Sequence, residues 1–204
     1  MPGPVAGLLA ALDGGPPLPG GGRLLCIDGP PGAGKTSLAR ELADVWTQES
    51  RTVAVVHMDA LYDGWDGLRD PGLGARIRNG LVVPWASGTT GRCPAYDWAL
   101  GRFEGEVEVA PADLMVLEGV GSGMRGLADL RTVLAWVQAP RQVATARGLA
   151  RDRALHDRMG LAWDEDGYRQ RWERFSRDAD EFFDRHGLPA TADLVVDGLR
   201  ASGR

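Results

Sequence analysis

Apolar positions along this chain follow two periods. Residues 23–28, 52–58, 113–117, 132–137 and 193–196 are short runs that are almost wholly apolar. Runs of that length without a polar face predict central parallel strands covered on both sides. Between the runs the pattern becomes helical. Leu38, Leu42, Val45 and Trp46 mark a helix over 35–48, and residues 73–85 read as another despite Gly80. Pro140 is a favoured first helical residue and opens a third helix, to about residue 153. Tyr168, Trp172, Phe175, Ala179 and Phe182 form a core-facing stripe on a fourth, over 164–185. Strands alternating with helices predict an α/β fold: a parallel five-stranded sheet with helices on both faces. Residues 59–72 read as an ordered loop over a site, 86–95 as a turn-rich loop, 107–109 as a short strand and 154–163 as a flexible crossing. Gly and Pro dominate residues 1–22, which predicts a flexible leader with at most a short helix over 5–12. Residues 23–204 then make a single domain.

The first strand runs straight into Gly29-Pro30-Pro31-Gly32-Ala33-Gly34-Lys35-Thr36, and a helix follows. Strand, G-x-x-x-x-G-K-T and helix are the setting of a phosphate-binding P-loop. Gly29, Pro31, Gly32, Ala33, Gly34, Lys35, Thr36 and Ser37 are therefore the expected nucleotide cradle, with ATP as ligand. Glycines let successive N–H groups curl around phosphate oxygens, and the helix N-terminus adds partial positive charge. Lys35 reaches the β and γ phosphates, and the Thr36 hydroxyl is placed to ligate Mg²⁺. Lys35 is the only lysine among 23 Lys and Arg residues. A compact ammonium fits between phosphates where a broad guanidinium does not.

The net charge of −5 over 204 residues argues against a general nucleic-acid binder. No apolar run approaches membrane-spanning length, and no basic segment precedes an apolar one as in a signal peptide. Cys26 and Cys93 lie far apart, which suits a reduced, cytoplasmic protein. The expected partner is a small-molecule acceptor, with neither nucleic acid nor membrane; homo-oligomer formation stays open.

Asp59 and Glu118 each end an apolar run, so both are expected beside the P-loop. Phosphoryl transfer needs a carboxylate to hold Mg²⁺ and often another to take the proton of the attacking hydroxyl. Arg147 and Arg151 share a helix face, with Arg153 at its end. Arginines on a mobile lid neutralise charge on the transferring group. Tyr62, Trp65, Tyr96 and Trp98 are loop aromatics suited to stacking on a flat or cyclic acceptor, and Asp97 falls among them. His57, His156 and His186 form no metal-like or triad-like cluster and read as structural or surface residues. A nucleotide-dependent switch is the rival from another class. An N-K-x-D guanine-reading motif is missing, because the only lysine is already in the P-loop.

In order, GPPGAGKT, HMDALY (57–62), Pro94-x-Tyr96-Asp97-Trp98, VLEG with Glu118, RGLARD and ADLVVD resemble the uridine kinase-like family of P-loop kinases, which includes phosphoribulokinases and pantothenate kinases. The resemblance spans about residues 23–198 and implies a P-loop NTPase-type fold with an arginine-bearing lid. It implies that Asp59 is the base, that Thr36 and Glu118 hold Mg²⁺ together with Asp59, and that Arg147 and Arg151 belong to the lid. Tyr96 and Trp98 would line the acceptor pocket, with a nucleoside as first-choice acceptor. Two features depart from uridine kinases. The chain has no F-D-H-P-like stretch to hold ribose, where Asp66 or Asp70 stand by proximity only, and no histidine follows Trp98. A pantothenate-like compound, a sugar phosphate or an antibiotic is the alternative acceptor.

Overall fold

β1 (Arg23–Asp28) is the central strand, and its side chains divide between two cores. In the computed structural model, which describes residues 3–199, Leu24 and Cys26 face one core and Leu25 and Ile27 the other. That is why the strand reads as a continuous apolar run. β2 (Val53–His57), β5 (Leu114–Glu118), β6 (Val133–Gln138) and β7 (Leu194–Asp197) complete a five-stranded sheet in the order β2-β5-β1-β6-β7. Every pairing is parallel. The chain leaves β1 toward β2 and leaves the adjacent β6 toward β7, so the connections after these two neighbouring strands run in opposite directions. A crevice opens at such a point, and ligands of parallel α/β sheets bind there.

One face is covered by α1 (Pro4–Gly14) and α2 (Lys35–Gln48). The expected flexible leader is corrected here. Val5, Leu8 and Leu12 are buried against α2 and the sheet. Their spacing of three and four makes one apolar stripe, and the Gly/Pro residues after it turn the chain back into β1.

The other face carries α6 (Glu165–His186) and a helical rod over residues 73–86. The rod joins α3 (Leu73–Arg76), a π-helical segment (Ile77–Val82) and α4 (Val83–Ala86). A side chain at Gly80 would put a Cβ 2.5 Å from the Arg92 carbonyl, so glycine lets the rod lie close on the next strand. That strand, β3 (Gly91–Asp97), replaces the loop expected at 86–95. It pairs antiparallel with β4 (Arg102–Val109), longer than the strand expected at 107–109. Pro94 hid β3 in the sequence. The hairpin is a separate two-stranded sheet whose register shifts between Pro94 and Tyr96, a position that tolerates proline.

α5 (Arg141–Met159) runs six residues past the end expected for it, into the segment read as a flexible crossing. Its corner with α6 is held by His156. The His156 ring bonds the Ala162 carbonyl at 3.1 Å through Nδ1 and the Tyr168 hydroxyl at 2.7 Å through Nε2. Trp163 stacks on Tyr168 at 4.4 Å.

Candidate active site

The loop between β1 and α2 folds as its glycines dictate. Gly32 and Gly34 have φ of +78° and +105°, and a Cβ on Gly32 would lie 2.1 Å from the Ala144 carbonyl. α2 begins at Lys35 behind Gly34, so its free N–H groups face the crevice. The Lys35 ammonium turns back into this loop and donates to the carbonyls of Gly29 and Pro30, each at 2.7 Å. Burial lowers its pKa, while Asp28, Glu118 and Asp59 oppose that shift.

Parallel register aligns Ile27 of β1 and His57 of β2 with Glu118 of β5. The Thr36 hydroxyl donates to Glu118 Oε1 at 2.9 Å, and His57 Nδ1 meets the same oxygen at 2.5 Å. Glu118 is buried and His57 is half exposed. The bond to Glu118 is the main cause raising the His57 pKa. His57 was expected to be a structural or surface residue; it is half exposed, and its ring stands against Glu118 in the candidate site. A lone histidine gave no signal because strand register is invisible in the sequence.

Asp28 was also overlooked. It is fully buried at the end of β1. Its Oδ1 accepts from the N–H groups of Gly29 at 2.7 Å and Gly121 at 3.0 Å, and Oδ2 from Gly123 at 2.7 Å. It thereby ties the P-loop to the loop after β5. Burial pushes its pKa up to about 6 against these hydrogen bonds and the pull of Lys35. An acidic residue closing an otherwise apolar strand was the available signal.

Asp59 lies in a short 3-10 turn (Met58–Ala60) just past β2. Its carboxylate makes no hydrogen bond to another described residue, although crowding by protein raises its pKa. The side chain still reaches solvent, as a group that must meet a substrate requires. Arg151 is the strongest counter-charge, Glu118 adds to the rise, and Lys35 and His57 oppose it. Lys35, Thr36, Glu118, Asp59 and Arg151 thus share one electrostatic neighbourhood.

An aromatic wall stands beside Asp59. Trp98 donates from its indole nitrogen to the Asp59 carbonyl at 2.9 Å, which fastens the β3–β4 hairpin to the Asp59 turn. Trp65 and Tyr96 meet Trp98 edge-on at 5.7 and 5.2 Å. Trp98 remains 45% exposed, so part of it is free to contact another molecule.

Other expected site residues are engaged elsewhere. Tyr62 is buried and its hydroxyl donates to the Val120 carbonyl, so it supports the site from beneath. Asp97 caps the hairpin turn by accepting from Ala99 at 2.8 Å and Leu100 at 2.9 Å. Arg147 donates to the Gly198 carbonyl at 3.1 Å, and Arg153 pairs with Glu165 at 3.8 Å. Asp66 pairs with Arg174 at 3.1 Å and Asp70 with Arg76 at 2.7 Å. A cavity of about 310 Å³ between Leu68, Met124 and Phe182 is lined by Asp70 but by none of Lys35, Thr36, Asp59 and Glu118. The candidate site is the open crevice above β1, β5 and β2.

The oxygen donors fit Mg²⁺. No group of three or more His, Cys, Asp or Glu among the described residues could hold a metal alone. Mg²⁺ does not ask for such a cage, because it keeps waters and leans on substrate phosphates with one or two protein oxygens. Thr36 Oγ1 and the Glu118 carboxylate, already 2.9 Å apart, are that kind of pair.

No protein-family model matches this sequence, and no curated protein matches it. Solved structures do match by fold. A possible uridine kinase from Bacillus stearothermophilus aligns with a TM-score of 0.66 at 17% identity, covering 95% of this chain and 97% of the other. A provisionally assigned fructose transport system kinase from a Silicibacter species gives 0.64 at 23% identity, over 94% and 96%. A D-glycerate 3-kinase from Cryptococcus neoformans gives 0.58 at 14% identity, over 96% and 94%. The parallel five-stranded sheet with its flanking helices is the α/β fold that this chain shares with these proteins.

Proposed function

We propose that this chain is an ATP- and Mg²⁺-dependent kinase that transfers the γ-phosphoryl group to a hydroxyl of a small molecule, with a nucleoside as first-choice acceptor. The observation that carries it is the free Asp59 carboxylate, set beside Lys35, Thr36 and Glu118 at the carboxyl ends of the strands. A carboxylate locked in an ion pair is a weaker base; this one makes no such bond. Its raised pKa brings it nearer neutral pH, which suits a general base.

Each residue then has a defined task. The loop amides and the α2 N-terminus bind the phosphates. Lys35 exchanges its two carbonyl partners for phosphate oxygens. Thr36 and Glu118 hold Mg²⁺, which supplies charge neutralisation across the phosphates when bound. Asp59 takes the acceptor's hydroxyl proton. Arg151 stabilises negative charge on the transferring group, and the Trp65, Tyr96 and Trp98 wall orients the acceptor. Positioning and electrostatic stabilisation supply most of the acceleration.

A non-nucleoside acceptor is the second reading. Asp66, Asp70 and Asp97 are all engaged within the protein, so none stands free to hold ribose hydroxyls.

The test is ADP release with Mg-ATP across nucleosides, pantothenate, sugars and aminoglycosides, with products identified by mass. A nucleoside should gain one phosphate, and Asp59→Asn should lower that turnover by about 10²–10⁴-fold while ATP still binds. Slow ADP release indifferent to every acceptor would refute the kinase reading in favour of a switch. Full turnover by Asp59→Asn would remove Asp59 from the role of base.

A further inference from the structure

We infer that His57 is a positioning residue for the metal-binding carboxylate: its Nδ1–H fixes Glu118 in the rotamer that offers Oε2 to the nucleotide-bound cation. This inference rests on the nucleotide and Mg²⁺ reading above and extends it to a residue which that reading leaves idle.

Three observations support it. First, two donors converge on a single atom. Thr36 Oγ1 at 2.9 Å and His57 Nδ1 at 2.5 Å both address Glu118 Oε1. No hydrogen bond from a described residue reaches Oε2, so one oxygen is held and the other is left for a ligand. Second, the arrangement is built into the sheet. His57 and Glu118 are register partners on adjacent parallel strands, so their Cα positions are fixed by the backbone ladder. The contact comes from two strand-end residues meeting, not from a mobile loop. Third, Glu118 is 5% exposed at its side chain while His57 is 51% exposed. A buried carboxylate without a fixed partner would turn toward whichever donor was near. The solvent-open imidazole adds no comparable burial of its own, so its loss should leave the core intact.

The chemistry follows from ligand orientation. Mg²⁺ demands near-octahedral geometry and tolerates misplaced oxygens poorly. A hydrogen bond to the non-ligating oxygen fixes the carboxylate plane and restricts which lone pair faces the metal. Removing such an outer partner typically lowers metal affinity by about 10–100-fold. Thr36 cannot replace His57, because its hydroxyl is itself expected to turn toward the cation and leave Oε1 with His57 alone.

The experiment compares the wild type with His57→Leu and His57→Asn. Leucine keeps bulk and removes the donor. Asparagine carries a donor nitrogen at the same branch as Nδ1 and restores it. Mn²⁺ binding to each protein in the presence of ADP is measured from the electron paramagnetic resonance signal of free Mn²⁺. ADP binding without metal is measured in excess chelator, and thermal melting reports the fold. His57→Leu should weaken Mn²⁺ binding about 10-fold or more. His57→Asn should recover most of that loss, and metal-free ADP affinity and melting should change little in either. Unchanged Mn²⁺ affinity in His57→Leu overturns the inference, as does an asparagine variant no better than leucine. If the wild type binds no Mn²⁺ with ADP, the nucleotide reading itself falls, and that outcome is separate from a failure of His57 alone.

Discussion

Asp28 makes stability depend on pH in a direction opposite to that of an ordinary paired carboxylate. Its folded pKa is about 6 against an ordinary value of 3.8. The native protein therefore holds this proton more tightly than the unfolded chain does. As pH falls from 7.5 to 5, the folded state takes up most of a proton at Asp28 while the unfolded state stays ionised. Linkage converts that difference into about 1 kcal/mol of added stability at pH 5 relative to pH 7.5. Asp28→Asn cannot take up the proton and should lose the gain. Its amide oxygen can keep the Gly29 and Gly121 N–H bonds, but its NH₂ faces the Gly123 N–H. One orphaned buried donor costs about 1–3 kcal/mol at either pH. Urea unfolding of both proteins at pH 7.5 and 5 gives the required double difference. Groups that titrate alike in the two proteins, such as Asp59 and His57, cancel. The stability advantage of wild type over Asp28→Asn should be larger at pH 5 by about 1 kcal/mol. An advantage that is equal at both pH values, or smaller at pH 5, refutes the assignment of a high-pKa carboxyl to this position.

Two further outcomes test other parts of the reasoning. Arg151 holds the Asp59 pKa down, so Arg151→Ala should move the acid limb of the kcat/KM profile to higher pH as well as slow turnover; a limb that stays put would place Arg151 outside the reach of Asp59. Leu8 is fully buried against α2 and the sheet, so Leu8→Ala should lower stability by about 2–5 kcal/mol in urea unfolding, whereas a loss below about 0.5 kcal/mol would restore the picture of a loose leader.

The sequence by itself determined the sheet and the glycine-rich loop between β1 and α2. All five apolar runs became parallel strands; β1, β5 and β6 are covered on both faces and so are apolar at successive positions, while the edge strand β7 leaves Val195 exposed. That loop was legible because its spacing encodes backbone shape directly: glycine where φ is positive, lysine and threonine at the start of the helix that follows. The π-helical stretch of the 73–86 rod and strand β3 were harder to see. Gly80 and Pro94 look like breakers locally, and only the close packing of the rod on the hairpin and the edge position of Pro94 make them acceptable.

Tertiary structure alone decided which polar residues meet. His57 and Glu118 are 61 positions apart, and their contact depends on β2 lying next to β5 with no shift in register. Asp28 reaches Gly121 and Gly123 only because β5 ends beside β1. The same long-range geometry carried the Tyr62 hydroxyl to the Val120 carbonyl and Arg153 to Glu165, whereas Asp97 is held by its own turn through Ala99 and Leu100. Period and composition report what one element buries. Strand order and register set which side chains from different elements share a crevice, and that information is distributed over the whole chain.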